Sequence, residues 1–158
     1  MDNLTIRRAS AADIPALDKL LYQVHKVHSD LRPDLFRQGA KKYTDAELET
    51  ILTGNNTPVF VAERDGAVQG YAFCVHKQFG NDSNMTGIKT LYIDDLCVDE
   101  CSRGGHIGRA LYEYVLDYAR SRGCYNVTLN VWAGNDSAMK FYESVGLGVQ
   151  KIGMERIL

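Results

Sequence analysis

"CVDECSRGGHIGRALYEYVLDYA", residues Cys97–Ala119, passes from strand-like residues through a cluster of glycines into a long run of helical periodicity. Gly104, Gly105 and Gly108 carry no β-carbon, so backbone amides beside them can approach a ligand closely. The helix that follows presents unpaired N–H groups and the positive end of its dipole at its first turn, an arrangement that attracts anions. Ile107, Leu111, Tyr114, Val115 and Tyr118 share one face of that helix, and Gly123 predicts its end. The stretch reads as a phosphate cradle at a strand-to-helix junction, which points to an α/β chain.

The strand leading into it, "TLYIDDLCVDE" (90–100), is informative in its own right. Leu91 and Ile93 fall on odd positions, but Leu96 and Val98 fall on even ones, so the apolar phase slips by one residue across Asp94 and Asp95. A β-bulge produces such a slip and often stands beside an active site. A central strand buried on both faces, with the aspartates at a kink, is the other reading.

Further out, Leu4 to Arg8 predicts a first strand, and Ser10 caps a helix running to about His28 with Ile14, Leu17, Leu21 and Val24 at helical spacing. Thr44 and Glu47 have the spacing of a capping box and open a second, short helix. "PVFVAERDGAVQGYAFCVHKQF" (58–79) is two β-rich runs around Asp65-Gly66, a hairpin signal, and "GNDSNMTG" (80–87) is a polar loop. After the long helix, "YNVTLNVW" (125–132) alternates Val127, Leu129 and Val131 as a strand. "NDSAMKFYESVG" (135–146) then reads as a helix capped by Asn135, and a last strand is expected from about Val149 to Ile157. The order β-α-α-β-β-β-α-β-α-β predicts a mixed sheet covered by helices.

A chain of 158 residues suits one domain, residues 1–158. Its net charge of −2 offers no basic field for nucleic acid or an anionic membrane, so small molecules or local protein surfaces are the expected partners. Cys74, Cys97, Cys101 and Cys124 form no CxxC pair, which suits reduced thiols rather than a disulfide framework or a metal site. The charged start "MDNLTIRRAS" and the lack of a long apolar run predict a cytoplasmic protein.

Owners of a glycine-rich loop can be separated by context. A Walker-type site ends in Gly-Lys-Ser/Thr, whereas here His106-Ile107-Gly108-Arg109 stands. A dinucleotide fold places GxGxxG early in a βαβ unit, but this loop comes late. Two blocks instead resemble the GNAT superfamily of acetyl-CoA-dependent N-acetyltransferases. "LCVDECSRGGHIGRALYEYVLDYARSRGC" (96–124) is similar to the family's Arg/Gln-x-x-Gly-x-Gly/Ala loop, and "LNVWAGNDSAMKFYESVGL" (129–147) to its Asn-x-x-Ala-x-x-Phe-Tyr segment. With Arg103 in first place, His106 occupies a family glycine position and Gly108 matches.

The resemblance implies a single-domain α/β (α+β) fold, a mixed, mostly antiparallel twisted sheet of about six or seven strands flanked by about four helices. It implies that amides from Arg103, Gly104, Gly105, His106, Ile107, Gly108 and Arg109 hold the diphosphate of acetyl-CoA. The edge of Leu96, Cys97 and Val98 would pair with the pantetheine arm, and Asn135 and Lys140 would flank the cofactor. Tyr142 takes the family position of the general acid that protonates the departing thiolate. Asp94 and Asp95 are the candidates for the base that frees the amine of its proton, or else bind backbone at the bulge. The acceptor is a small-molecule or protein amine, with "HKVHSDLRPDLF" (25–36) beside its pocket and a homodimer expected by analogy. A non-catalytic acyl-CoA sensor of the same fold is the alternative.

Overall fold

A computed structural model describes residues 3–80 and 83–158. The first strand, β1 (Thr5–Arg8), leads through a 3-10 turn (Ala11–Asp13) into α1 (Ile14–Leu31). The Ser10 amide donates to Asp13 Oδ2 at 2.8 Å and closes that turn. α2 (Asp45–Thr53) opens on the predicted box: the Glu47 amide donates to Thr44 Oγ1, and the Thr44 amide donates to Glu47 Oε1, both at 3.1 Å. β2 (Val59–Arg64) and β3 (Ala67–Gln78) meet at Asp65 and Gly66, whose φ of 53° and 79° are those of a tight hairpin turn. β4 (Lys89–Val98), α3 (Ile107–Ser121), β5 (Asn126–Leu129) and α4 (Asp136–Ser144) follow. Of the predicted polar loop, Asn81 and Asp82 lie outside the described residues.

The strands form one sheet in the order β1-β2-β3-β4-β5, antiparallel throughout except for the parallel β4–β5 pair. α1 and α2 pack on one face, where Leu17, Leu20, Leu21 and Leu48 meet Val59, Val61, Tyr71 and Phe73. α3 covers the other, where Ile107, Leu111 and Val115 meet Phe60, Ala72, Leu91 and Ile93. The buried stripe of α3 also takes in Tyr112 and Ala119, while Tyr114 is 38% exposed and reaches only the edge of Phe60. The buried stripe thus takes in Tyr112 and Ala119 in place of Tyr114, while Tyr114 and Tyr118 both meet the Phe60 ring edge to face.

Two expectations need correction. The sheet has five strands among the described residues, not six or seven. The missing strand is the last one: residues 148–158 have no regular structure and are exposed throughout. β5 also stops at Leu129, short of the expected Trp132.

The entry to α3 carries local strain. Gly104 has φ of 87°, which glycine adopts without a β-carbon penalty. His106 holds the left-handed conformation at φ 61° as the residue preceding α3. That conformation costs a non-glycine residue roughly 1–2 kcal/mol, partly offset by the greater freedom of an unfolded glycine, about 0.5–1 kcal/mol. His106→Gly is therefore expected to stabilise the fold by about 0.5–1 kcal/mol, read as a higher urea midpoint; a lower midpoint would contradict this account of the turn.

Candidate active site

The site begins with a count of residues. Across β3 and β4, Phe73 faces Asp95 while Cys74 faces Ile93, so Asp94 is the extra residue of a bulge. Leu91 and Ile93 before it, and Leu96 and Val98 after it, all pack into the core beneath α3. The phase slip in the sequence is this bulge. It also ends the sheet on the far side: β5 pairs with β4 from Thr90 to Ile93 only. From Asp94 to Val98, the side of β4 turned away from β3 has no strand partner among the described residues.

The bulge sets the two carboxylates in different surroundings. Asp94 accepts from Lys42 Nζ at 2.9 Å and from the Tyr43 hydroxyl. Asp95 accepts from the buried Tyr71 hydroxyl at 2.6 Å. Withdrawal from water raises Asp95 to about 6, against the opposing pull of the Tyr71 hydrogen bond and of Lys42, with Asp94 adding to the rise. Tyr43 is pushed above the usual phenol range by burial first and then by Asp94, and burial does the same to Tyr71. Both phenols therefore stay protonated and donate.

α4 approaches the open edge from beyond it. Asn135 caps this helix, its Oδ1 accepting from the Ala138 amide at 3.4 Å. Phe141 packs so near the start of α3 that a β-carbon on Gly108 would lie 3.3 Å from its ring and 3.5 Å from Val98. Next to it, Tyr142 is raised above the usual phenol range by burial, with Asp95 and Cys97 contributing. Its hydroxyl holds a proton throughout the physiological range.

The stretch from Arg103 to Arg109 runs into the start of α3. No side chain caps α3, which leaves its first amides available as donors. Gly105 lies under the Arg64 guanidinium, 3.2 Å from where a β-carbon would stand. Arg103 and His106 are exposed, and Arg109 is shared with Glu113 at 3.6 Å. Lys140 is exposed on α4. The loop is pinned at its start by buried Asp99, which accepts from Lys19 Nζ at 3.1 Å, from Gln23 at 3.4 Å and from the Cys101 amide at 3.1 Å. Cys97 is buried, and its thiol is pushed up to about 12, so it is no nucleophile.

At the C-terminal part of α1, Phe36 stands between His25 and His28 and meets Trp132 edge to face at 5.4 Å. Asp30 pairs with Lys26 at 2.9 Å and Asp34 with Arg32 at 2.7 Å, so these acids are already engaged. Tyr71, Tyr43, Arg64, Asp99 and the Phe36–Trp132 contact are the site features that the sequence reading misses. One signal points to Tyr71: a tyrosine inside an apolar strand needs a partner for its hydroxyl.

Residues 23–147 match the profile described as "Acetyltransferase (GNAT) family". The chain is 31% identical over 91 residues to glucosamine 6-phosphate N-acetyltransferase of Trypanosoma brucei brucei, a match covering 57% of each. It is 41% identical over 95 residues to mycothiol acetyltransferase of Acidothermus cellulolyticus, 55% of this chain and 28% of that protein. These matches leave much of the relatives' length unspanned. A crystal structure of the BH1408 protein from Bacillus halodurans superposes with a TM-score of 0.93 at 33% identity, over 98% of this chain and 99% of that one. With the bulged strand, the open edge and the glycine loop in one place, and a profile match through both motif blocks, this chain belongs to the GNAT acetyltransferase family.

Proposed function

We propose that the protein is an N-acetyltransferase that moves acetyl from acetyl-CoA to a primary amine by direct attack within a ternary complex. The observation that carries this reading is the open edge of β4, with the Asp95 carboxyl raised to about 6 beside it and the Tyr142 phenol kept protonated by burial and by the Asp95 charge. When bound, the coenzyme supplies an acetyl thioester to an unprotonated amine and leaves as a thiolate.

The chain's own groups then divide the work. Amides from Arg103 to Arg109 hold the diphosphate, with Arg103 as a nearby cation and the Arg64 guanidinium beside Gly105. The backbone of Leu96, Cys97 and Val98 offers the pantetheine amides a strand to pair with, and Asn135 and Lys140 flank the opposite wall. Asp95 takes the proton of the incoming ammonium, directly or through water, because an ammonium has no lone pair with which to attack. Asp94, held by Lys42 and Tyr43, keeps a second negative charge near the amine. Tyr142 Oη donates its proton toward the departing sulfur.

The named relatives support a small-molecule amine as acceptor. Glucosamine 6-phosphate N-acetyltransferases and mycothiol acetyltransferases are among them. A screen of amino sugars, polyamines and peptide N-termini with acetyl-CoA, followed by release of free thiol, tests the class directly.

Two variants test the proton roles. Tyr142→Phe is expected to lower kcat by about 10²–10⁴-fold with little change in the KM for acetyl-CoA; an unchanged kcat would remove Tyr142 from the chemistry. The base must be ionised, so kcat/KM is expected to rise through a limb near pH 6 as Asp95 loses its proton. Tyr71→Phe deletes a hydrogen bond that favours the carboxylate and so shifts the limb to higher pH. A limb that stays in place would mean that Asp95 is not the group it reports.

A further inference from the structure

We infer that the cleft at the C-terminal end of α3 is an anion site that takes a phosphorylated small molecule with two or more negative charges. The cleft holds about 680 Å³, within the roughly 300–1,000 Å³ of small-molecule sites. Arg8, His76, Lys77, Lys89, Tyr118 and Arg122 line it, brought together from β1, β3, the first residue of β4, and the last turn and C-cap of α3. Among the described residues, no carboxylate lines it. Elsewhere the chain neutralises its cations locally: Arg7 pairs with Asp13, Lys19 with Asp99, Lys42 with Asp94 and Arg120 with Asp117. Arg8, Lys77, Lys89 and Arg122 have no such partner among the described residues. The two arginines rest on rings instead, Arg8 Cζ 5.8 Å from the centre of Phe60 and Arg122 Cζ 5.1 Å from that of Tyr118. Rings hold a guanidinium in place and leave its N–H groups available to an anion.

His76 marks where these charges converge. It is half-buried, and its Nε2 shares a hydrogen bond with the Tyr118 hydroxyl at 2.8 Å. Burial holds its imidazole below the usual range, and Arg122, Arg8 and Lys89 hold it lower still. Those three charges come from separate elements, and all are positive. A concave site lined by one sign of charge repels itself and concentrates ions of the other sign. The negative end of the α3 dipole accounts for Arg122 at the C-cap, but not for Arg8 and Lys89, which belong to strands. A single carboxylate would leave most of this charge uncompensated, whereas a phosphate group matches both the charge and the fork geometry of arginine. The net charge of −2 spreads no positive field beyond the cleft, which suits a small anion rather than a polyanionic surface. The cleft and the glycine loop lie at opposite ends of α3, roughly 20 Å apart along its axis, so this site is distinct from the one proposed for the coenzyme.

Imidazole NMR of the full chain, titrated with inorganic pyrophosphate, reads the cleft at His76 and the glycine loop at His106; sodium chloride at matched ionic strength is the reference. The His76 resonance is expected to move saturably and its titration midpoint to rise, because a bound anion counters the cations that hold it down. The double variant Lys89→Gln, Arg122→Gln changes two exposed side chains and is expected to need about tenfold more pyrophosphate or greater, with an unaltered circular dichroism spectrum. Without ligand, His76 of that variant is expected to titrate higher than in the native chain, since two of the cations acting on it are gone. A His76 resonance that stays still, follows sodium chloride equally or responds the same in the double variant would overturn the inference. A shift at His106 without one at His76 puts the anion on the loop and overturns it too, as does a response to phosphatidate vesicles in the absence of one to soluble pyrophosphate. Should the variant fail to fold, the comparison of pyrophosphate with chloride on the native chain decides alone. None of these readings depends on acetyl transfer or on coenzyme binding.

Discussion

One additional residue in β4 governs the site. Asp94 has no counterpart on β3, and the strand pays for that with a local break in its ladder. The break exchanges the faces of all that follows: Leu96 and Val98 keep to the α3 side, and Asp95 and Cys97 turn toward α1. It also coincides with the point where β5 leaves β4. A regular strand would have carried Asp95 to the other face. The placement of Asp95 is thus a consequence of a single register shift.

The electrostatics follow from that placement. Asp95 stands over an apolar layer containing Phe73 and Cys97, with the Tyr71 hydroxyl as its hydrogen-bond donor. Removal from water favours its protonated form, and the phenol restrains the rise. The same lack of water raises Tyr142 and Cys97. An acid that keeps its proton, a carboxylate that can shed its own near neutrality and a thiol that stays inert therefore arise from one dry environment. The glycine loop differs in kind: it leads main-chain amides to the start of α3, and its shape depends on Gly104, on the left-handed His106 and on Asp99, which ties β4 to α1.

Much of this is legible from residues alone because it is local. The bulge shows as a change of parity between Ile93 and Leu96, the α2 box as Thr44 and Glu47, the hairpin as Asp65-Gly66, and the α4 cap as Asn135. What is not legible depends on which strands become neighbours. Tyr71 meets Asp95 across β3 and β4, and Asp99 meets Lys19 from 80 residues away, pairings that no spacing encodes. The stretch from Val149 to Ile157 has the alternation of a strand yet finds no strand partner among the described residues, since alternation specifies a face to be buried and is silent on what buries it.

The central claim is that main-chain donors opening α3, together with the bare edge of β4, grip coenzyme A. Isothermal titration calorimetry of the folded protein with coenzyme A measures this without any acceptor present. Saturable uptake of one coenzyme per chain, weakened when a bulky side chain replaces Gly108, is the result the account predicts. A folded protein that gives no saturable heat with the coenzyme would contradict it.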